Sequence, residues 1–222
     1  MTLFSCDFSS EERIDVSAID IKVSVSRFDI DFYNTETSTL AETKRGYPLL
    51  FPENVPDSVW IQKQQDTDER ELFAETQKIY ADFSVLKKQL TTLFKYITFY
   101  NPKFKAPKII TLISNIDYES KVIYTKEVLL ISLDVYLGKS HPFYDNFPKY
   151  IKQNYHKGHV VVDVANAIIN RQVPASTTRT FLSKMIEAGK RLYLLDAYLP
   201  EVTDEEKIGY EKQKLEWAQR NE

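Results

Sequence analysis

The chain has 222 residues, 43% hydrophobic and 27% charged, with 29 basic against 32 acidic side chains and a net charge of -3. That length buries a real core, while the even charge balance excludes the clustered cations a nucleic-acid partner needs. Only 5 glycines stand beside 14 tyrosines and 13 phenylalanines, which argues against phosphate-cradling loops and a turn-rich β-sandwich, and no apolar run approaches the roughly eighteen residues of a membrane span.

The chain opens Met1-Thr2-Leu3-Phe4-Ser5-Cys6-Asp7. Leu3-Phe4-Ser5-Cys6 resembles a bacterial lipobox, in which a small residue precedes a cysteine that is cleaved free and acylated. Palmitate-like chains on Cys6 would exceed the threshold for stable anchoring. The bland alternative is a stray terminal cysteine. Cys6 is the only cysteine, so no intrachain disulfide competes for it. Asp7 to Ala18 is polar and reads as a tether, leaving 19–222 as one domain. Five residues before Cys6 are too few for a signal peptide, which implies trimming or a late start codon.

Ile19, Ile21, Val23 and Val25, followed by Phe28, Ile30 and Phe32, alternate with period two. This predicts a strand from Ile19 to Tyr33 with a bulge or break at Arg27-Phe28. A short helix is expected from Glu36 to Arg45. Tyr47-Pro48-Leu49-Leu50-Phe51-Pro52 cannot be a regular helix between its prolines. Asp57-Ser58 can cap a helical turn, and Asp68 to Tyr100 carries the clearest helical spacing, stopped by Asn101-Pro102. Lys108 to Ser114, Val122 to Tyr124 and Val128 to Leu137 read as strands. His159 to Ile169 and Ser176 to Leu199 read as helices. Thr203-Asp204-Glu205-Glu206 reads as a capping box for a third, running past Trp217. The order predicts an α+β fold, a small sheet packed against long helices.

Several segments together resemble the GldB lipoprotein family of Bacteroidetes. They are Arg27-Phe28-Asp29, Tyr47 to Pro52 with Pro56-Asp57-Ser58-Val59-Trp60, the strand Ile109 to Ser114, Leu133 to Gly138, Pro148-Lys149-Tyr150-Ile151 and Lys184 to Asp196. The resemblance runs from Cys6 to the last residue. It implies a periplasm-facing envelope lipoprotein needed for gliding motility, held to a membrane through lipidated Cys6. It also implies other gliding or type IX secretion proteins as partners, and no established catalytic residue or cofactor. Family members extend further at the C-terminus, so a segment of the family domain is expected to be missing here.

Two helices are also similar to the core of zincin-like peptidases: Val160 to Ile169, and Met185-Ile186-Glu187-Ala188-Gly189-Lys190. Zinc hydrolysis needs His-Glu-x-x-His, which sets two imidazoles one turn apart beside a general base. The first helix instead reads Val162-Asp163-Val164-Ala165-Asn166. The expectation is a degenerate zincin-like scaffold, without metal, in which Asp163 and Glu187 line a remnant cleft. An envelope metallopeptidase is the alternative. His156 and His159, three apart, could form a surface metal site, with hydrogen-bonded loop histidines as the plainer reading; His141 lies in a loop. Asp134, inside an apolar stretch, is expected to pair with Lys or Arg, because a lone buried carboxylate is costly. Tyr47, Phe51 and Trp60 form an aromatic cluster that either packs in the core or serves as a docking surface.

Overall fold

The computed structural model describes residues 14–35, 39–210 and 212–221. Cys6 and the segment around it lie outside the described residues. From Ile14 onward the expected tether rests against the body: the Ile14 carbonyl accepts from the Tyr96 hydroxyl at 3.3 Å and Val16 is buried.

The protein is a mixed α/β fold around a four-stranded sheet. The strands are β1 (Val25–Arg27), β2 (Lys108–Leu112), β3 (Val122–Tyr124) and β4 (Val128–Ser132), in the order β1-β2-β4-β3. β1, β2 and β4 are parallel; β3 is an antiparallel edge. The central strands are dense in Ile and Leu because both faces are covered, as a parallel sheet requires.

The expected long first strand is cut short. Only Val25–Arg27 pairs, and Phe28–Tyr33 is a helix, α1. The same apolar positions fit both periods: Phe28 and Phe32 are one helical turn apart and their rings meet at 5.2 Å. Asp29 and Asp31 sit in the first turn, where the helix dipole favours anions. α2 (Leu40–Gly46), a 3-10 turn at Pro48–Leu50 and α3 (Asp57–Gln65) follow. The expected single helical region divides into α4 (Thr67–Tyr80) and α5 (Ser84–Tyr100). Asp82 causes the break by accepting the Ser84 N–H at 2.8 Å, a local bond that competes with helix continuation.

After β4 the chain turns into a 3-10 helix at Leu133–Val135, then α6 (Lys149–Lys152), α7 (Val160–Gln172) and α8 (Phe181–Tyr198). Thr203 caps α9 (Asp204–Ile208). The helix expected to run on stops at Gly209, which takes φ +71° as a left-handed C-cap; α10 (Lys212–Arg220) resumes beyond it. The core joins β2 and β4 (Ile109, Leu129, Ile131) to α5 (Leu86, Leu90, Phe94, Ile97) and α7 (Val162, Ala165, Ile168, Ile169).

Candidate functional site

The N-terminal end of α7 gathers ionisable side chains from several elements around Asp163. The helix packs against the edge strand β3 and against α5 and α8. Asp163, in its first turn, receives the Lys121 ammonium at 2.7 Å and the Tyr136 hydroxyl at 2.8 Å, both on Oδ2. His159 Nε2 stands 3.7 Å from the other carboxylate oxygen. Lys121 precedes β3 and Tyr136 follows β4, so the two sheet strands deliver both partners. Burial and the Asp163 carboxylate push the Tyr136 phenol well above its usual range, keeping it a neutral donor.

An open cleft of about 660 Å³ adjoins this group, lined by Lys149, Lys152, His156, His159, Glu206 and Tyr210 among others. Gly158 permits the close approach of α9, since a Cβ there would meet the Glu206 carboxylate at 2.7 Å. The His156 and His159 rings lie 5.9 Å apart. Among the described residues no group of three His, Cys, Asp or Glu could hold a metal ion. His141 instead faces Glu75 at 3.4 Å.

Burial pushes His159 down to about 4 from 6.5, so the imidazole is neutral in the folded protein. Its buried Nδ1 has no hydrogen-bond partner among the described residues. The unfolded chain therefore takes up a proton that the folded chain refuses. Stability attached to this group is complete above pH 6.5 and declines as pH falls from there toward 4. Denaturation at pH 7.5 and pH 5 is expected to differ by about 2 kcal/mol from this group, and His159→Leu is expected to flatten that dependence.

Asp163 and Glu187 do not share a cleft partner. Glu187, on α8, accepts the Ser176 N–H at 3.0 Å and pairs with Lys184 at 2.9 Å and Arg191 at 2.8 Å. The Ser176 N–H and the Lys184 ammonium hold its carboxyl below the usual range. It borders a separate depression at the C-terminal end of α7, with Gln172 and Val173, whereas Asp163 sits at the N-terminal end. The two residues thus belong to two places, and neither lining set contains the other.

The aromatic cluster is core. Tyr47 and Phe51 are 8% and 6% exposed, and Trp60 is partly buried against Phe51 with ring centroids 4.8 Å apart. Phe28 and Phe32 complete the cluster, so Tyr47, Phe51 and Trp60 offer no free docking face. Asp134 also differs from expectation: among the described residues no Lys or Arg pairs with it. It accepts the backbone N–H groups of Ser114 at 3.1 Å and Ile116 at 2.6 Å, and the Ser114 hydroxyl.

Sequence reasoning missed Lys121 and Tyr136, which no motif links to Asp163. It also missed that α8 turns Ser183, Glu187 and Arg191 toward the body. Ser183, Glu187 and Arg191 are half-buried, while Phe181 and Tyr193 are 81% and 73% exposed. No helix among the described residues is long and apolar enough to cross a membrane.

No curated protein and no solved structure matches the chain. A family model described as gliding motility protein GldB matches residues 9–222. That match spans nearly the whole sequence, including α7, its Lys121 and Tyr136 partners and all of α8, and the chain belongs to the GldB family of gliding motility proteins.

Proposed function

We propose that this chain is a non-enzymatic component of the gliding apparatus in the cell envelope, tethered through lipidated Cys6 and acting by binding other gliding or type IX secretion proteins. One observation carries the reading: the two helix carboxylates, Asp163 and Glu187, are already engaged, and the histidine beside Asp163 is shielded. Asp163 is held by Lys121 and Tyr136, Glu187 by Lys184, Arg191 and the Ser176 N–H, and His159 is neutral and buried. A general acid or base must be free to exchange a proton with substrate; the two carboxylates spend their hydrogen-bonding capacity on the fold, and His159 is shielded from solvent at 3% exposure. Family membership supports the gliding role, and the lipobox-like Leu3-Phe4-Ser5-Cys6 supports the tether.

A second reading is an inactive relative of a zincin peptidase with a ligand-binding cleft. Its basis is the open cleft lined by His159, with Asp163 one turn further along α7; the zincin-like scaffold expected from the sequence finds no support in the fold. Stoichiometric zinc on the purified protein, with peptide hydrolysis, would put an active peptidase in place of both.

Complementation of non-gliding cells tests the first reading. After a high-salt wash of the membranes, which removes electrostatic adsorption, the Cys6→Ala chain is expected in the soluble fraction and fails to restore gliding. The Asp163→Asn/Glu187→Gln chain stays membrane-associated and restores it. A Cys6→Ala protein that stays in the membrane pellet through the high-salt wash would contradict the tether.

A further inference from the structure

We propose that the outer face of α8 is a docking surface for an anionic lipid membrane. Phe181, Leu182, Met185, Ile186, Leu192 and Tyr193 all point away from the body and are exposed. At helical spacing they fill one continuous arc of roughly 140°, about 18 Å long. The opposite face, Ser183, Glu187, Leu194 and Tyr198, rests on the protein. Gly189 lies inside the arc, and a Cβ built there meets nothing within 4 Å. An amphipathic helix normally turns its apolar stripe inward. Here the polar residues Ser183, Glu187 and Arg191 take the inner side and the apolar stripe is left in water, a patch that needs a partner.

Charge identifies the partner. Between residue 176 and the end of α8 at Tyr198 stand Arg179, Lys184, Lys190 and Arg191 against Glu187 and Asp196, a local balance of +2 on a chain whose total is -3, and the exposed Asp196 is paired with Lys207 at 2.8 Å. Lys184 and Lys190 flank the apolar arc on its two rims and are exposed. Glu187 is turned inward and pairs with Lys184 and Arg191. An apolar face bordered by cations is the pattern of helices that lie in the headgroup plane, with the apolar side in the acyl boundary and the cations at the phosphates. A second copy fits poorly, because face-to-face pairing of two α8 helices would bring like-charged rims together.

The inference does not depend on the Cys6 tether. The probe is therefore the full unacylated chain carrying Cys6→Ser, mixed with vesicles of phosphatidylcholine alone or with about one third phosphatidylglycerol, and sedimented. Binding is expected with the anionic vesicles, falling on addition of salt. Phe181→Glu/Ile186→Glu is expected to weaken partitioning at least about tenfold, and Lys190→Glu about fivefold. These side chains are exposed, so the circular dichroism spectrum stays unchanged. Three results would overturn the proposal: no partitioning onto anionic vesicles, equal partitioning of wild type and the Phe181→Glu/Ile186→Glu variant, or a solution dimer that the same variant dissociates. Failure of vesicle binding with release of the Cys6→Ala chain in cells would remove this surface and leave the tether standing.

Discussion

Asp29→Ala is expected to lower the unfolding free energy by about 3–5 kcal/mol, the largest loss among single changes outside the apolar core. Asp29 is fully buried. Arg27 grips it with two bonds, Nε to Oδ1 at 3.0 Å and Nη2 to Oδ2 at 2.7 Å. Gln77 Nε2 donates to Oδ2 at 3.0 Å, and the buried Thr111 hydroxyl donates to Oδ1. The same guanidinium donates to the Tyr80 carbonyl at 2.7 Å and lies over the Phe83 ring at 5.3 Å. One carboxylate thereby ties β1, α1, α4 and β2 together at the point where the first strand becomes a helix. Alanine would leave a shielded cation uncompensated and a buried hydroxyl unpaired, and the cost of breaking such a pair far exceeds the net gain of forming it. Asp29→Asn keeps the shape and is expected to cost about half as much. Urea denaturation followed by circular dichroism measures both. A loss under about 1 kcal/mol for the alanine variant would mean that the network is incidental.

Asp134→Ala is expected to cost about 2–4 kcal/mol. Burial pushes this carboxyl up, and the donors from Ser114 and Ile116 oppose that shift. Those donors belong to a turn in which Asn115 and Ile116 take φ +59° and +57°. A left-handed conformation is unfavourable for a β-branched residue and persists only where its surroundings enforce it. The Asp134 carboxylate is the enforcement, because it fixes the N–H groups on both sides of Asn115. Without it two shielded N–H groups lose their acceptor and the turn can relax. Ile116→Gly relieves the backbone cost, so the double variant Asp134→Ala/Ile116→Gly is expected to lose less than the sum of the two single changes, a coupling readable by a double-mutant cycle.

Strands β2, β3 and β4 were legible because their Ile, Val and Leu runs are bounded by turn residues, and the α9 cap was legible from Thr203-Asp204-Glu205-Glu206. The segment Phe28–Tyr33 was not, because six residues with apolar positions at 28, 30 and 32 satisfy a strand as well as one helical turn. The network that decides between them reaches Gln77 and Thr111, 48 and 82 residues away. Arg27-Phe28-Asp29 was visible as a family feature, but its role is a matter of tertiary contact. For α8, periodicity revealed a helix with an apolar stripe at Met185, Ile186 and Leu192 without saying which side faces the core. Leu195 and Leu199 are buried and the first three are not. Asp163 and Glu187 were singled out by residue type, yet Asp163 lies in the first turn of α7 while Glu187 borders Gln172 and Val173 at its other end.

The account rests on recognition and attachment rather than catalysis. Its most direct measurement is gliding by cells whose only copy carries Asp163→Asn/Glu187→Gln, at matched protein levels and with membrane association verified. Gliding at the wild-type rate is the predicted result. Non-motile cells containing a folded, membrane-bound double variant would contradict it.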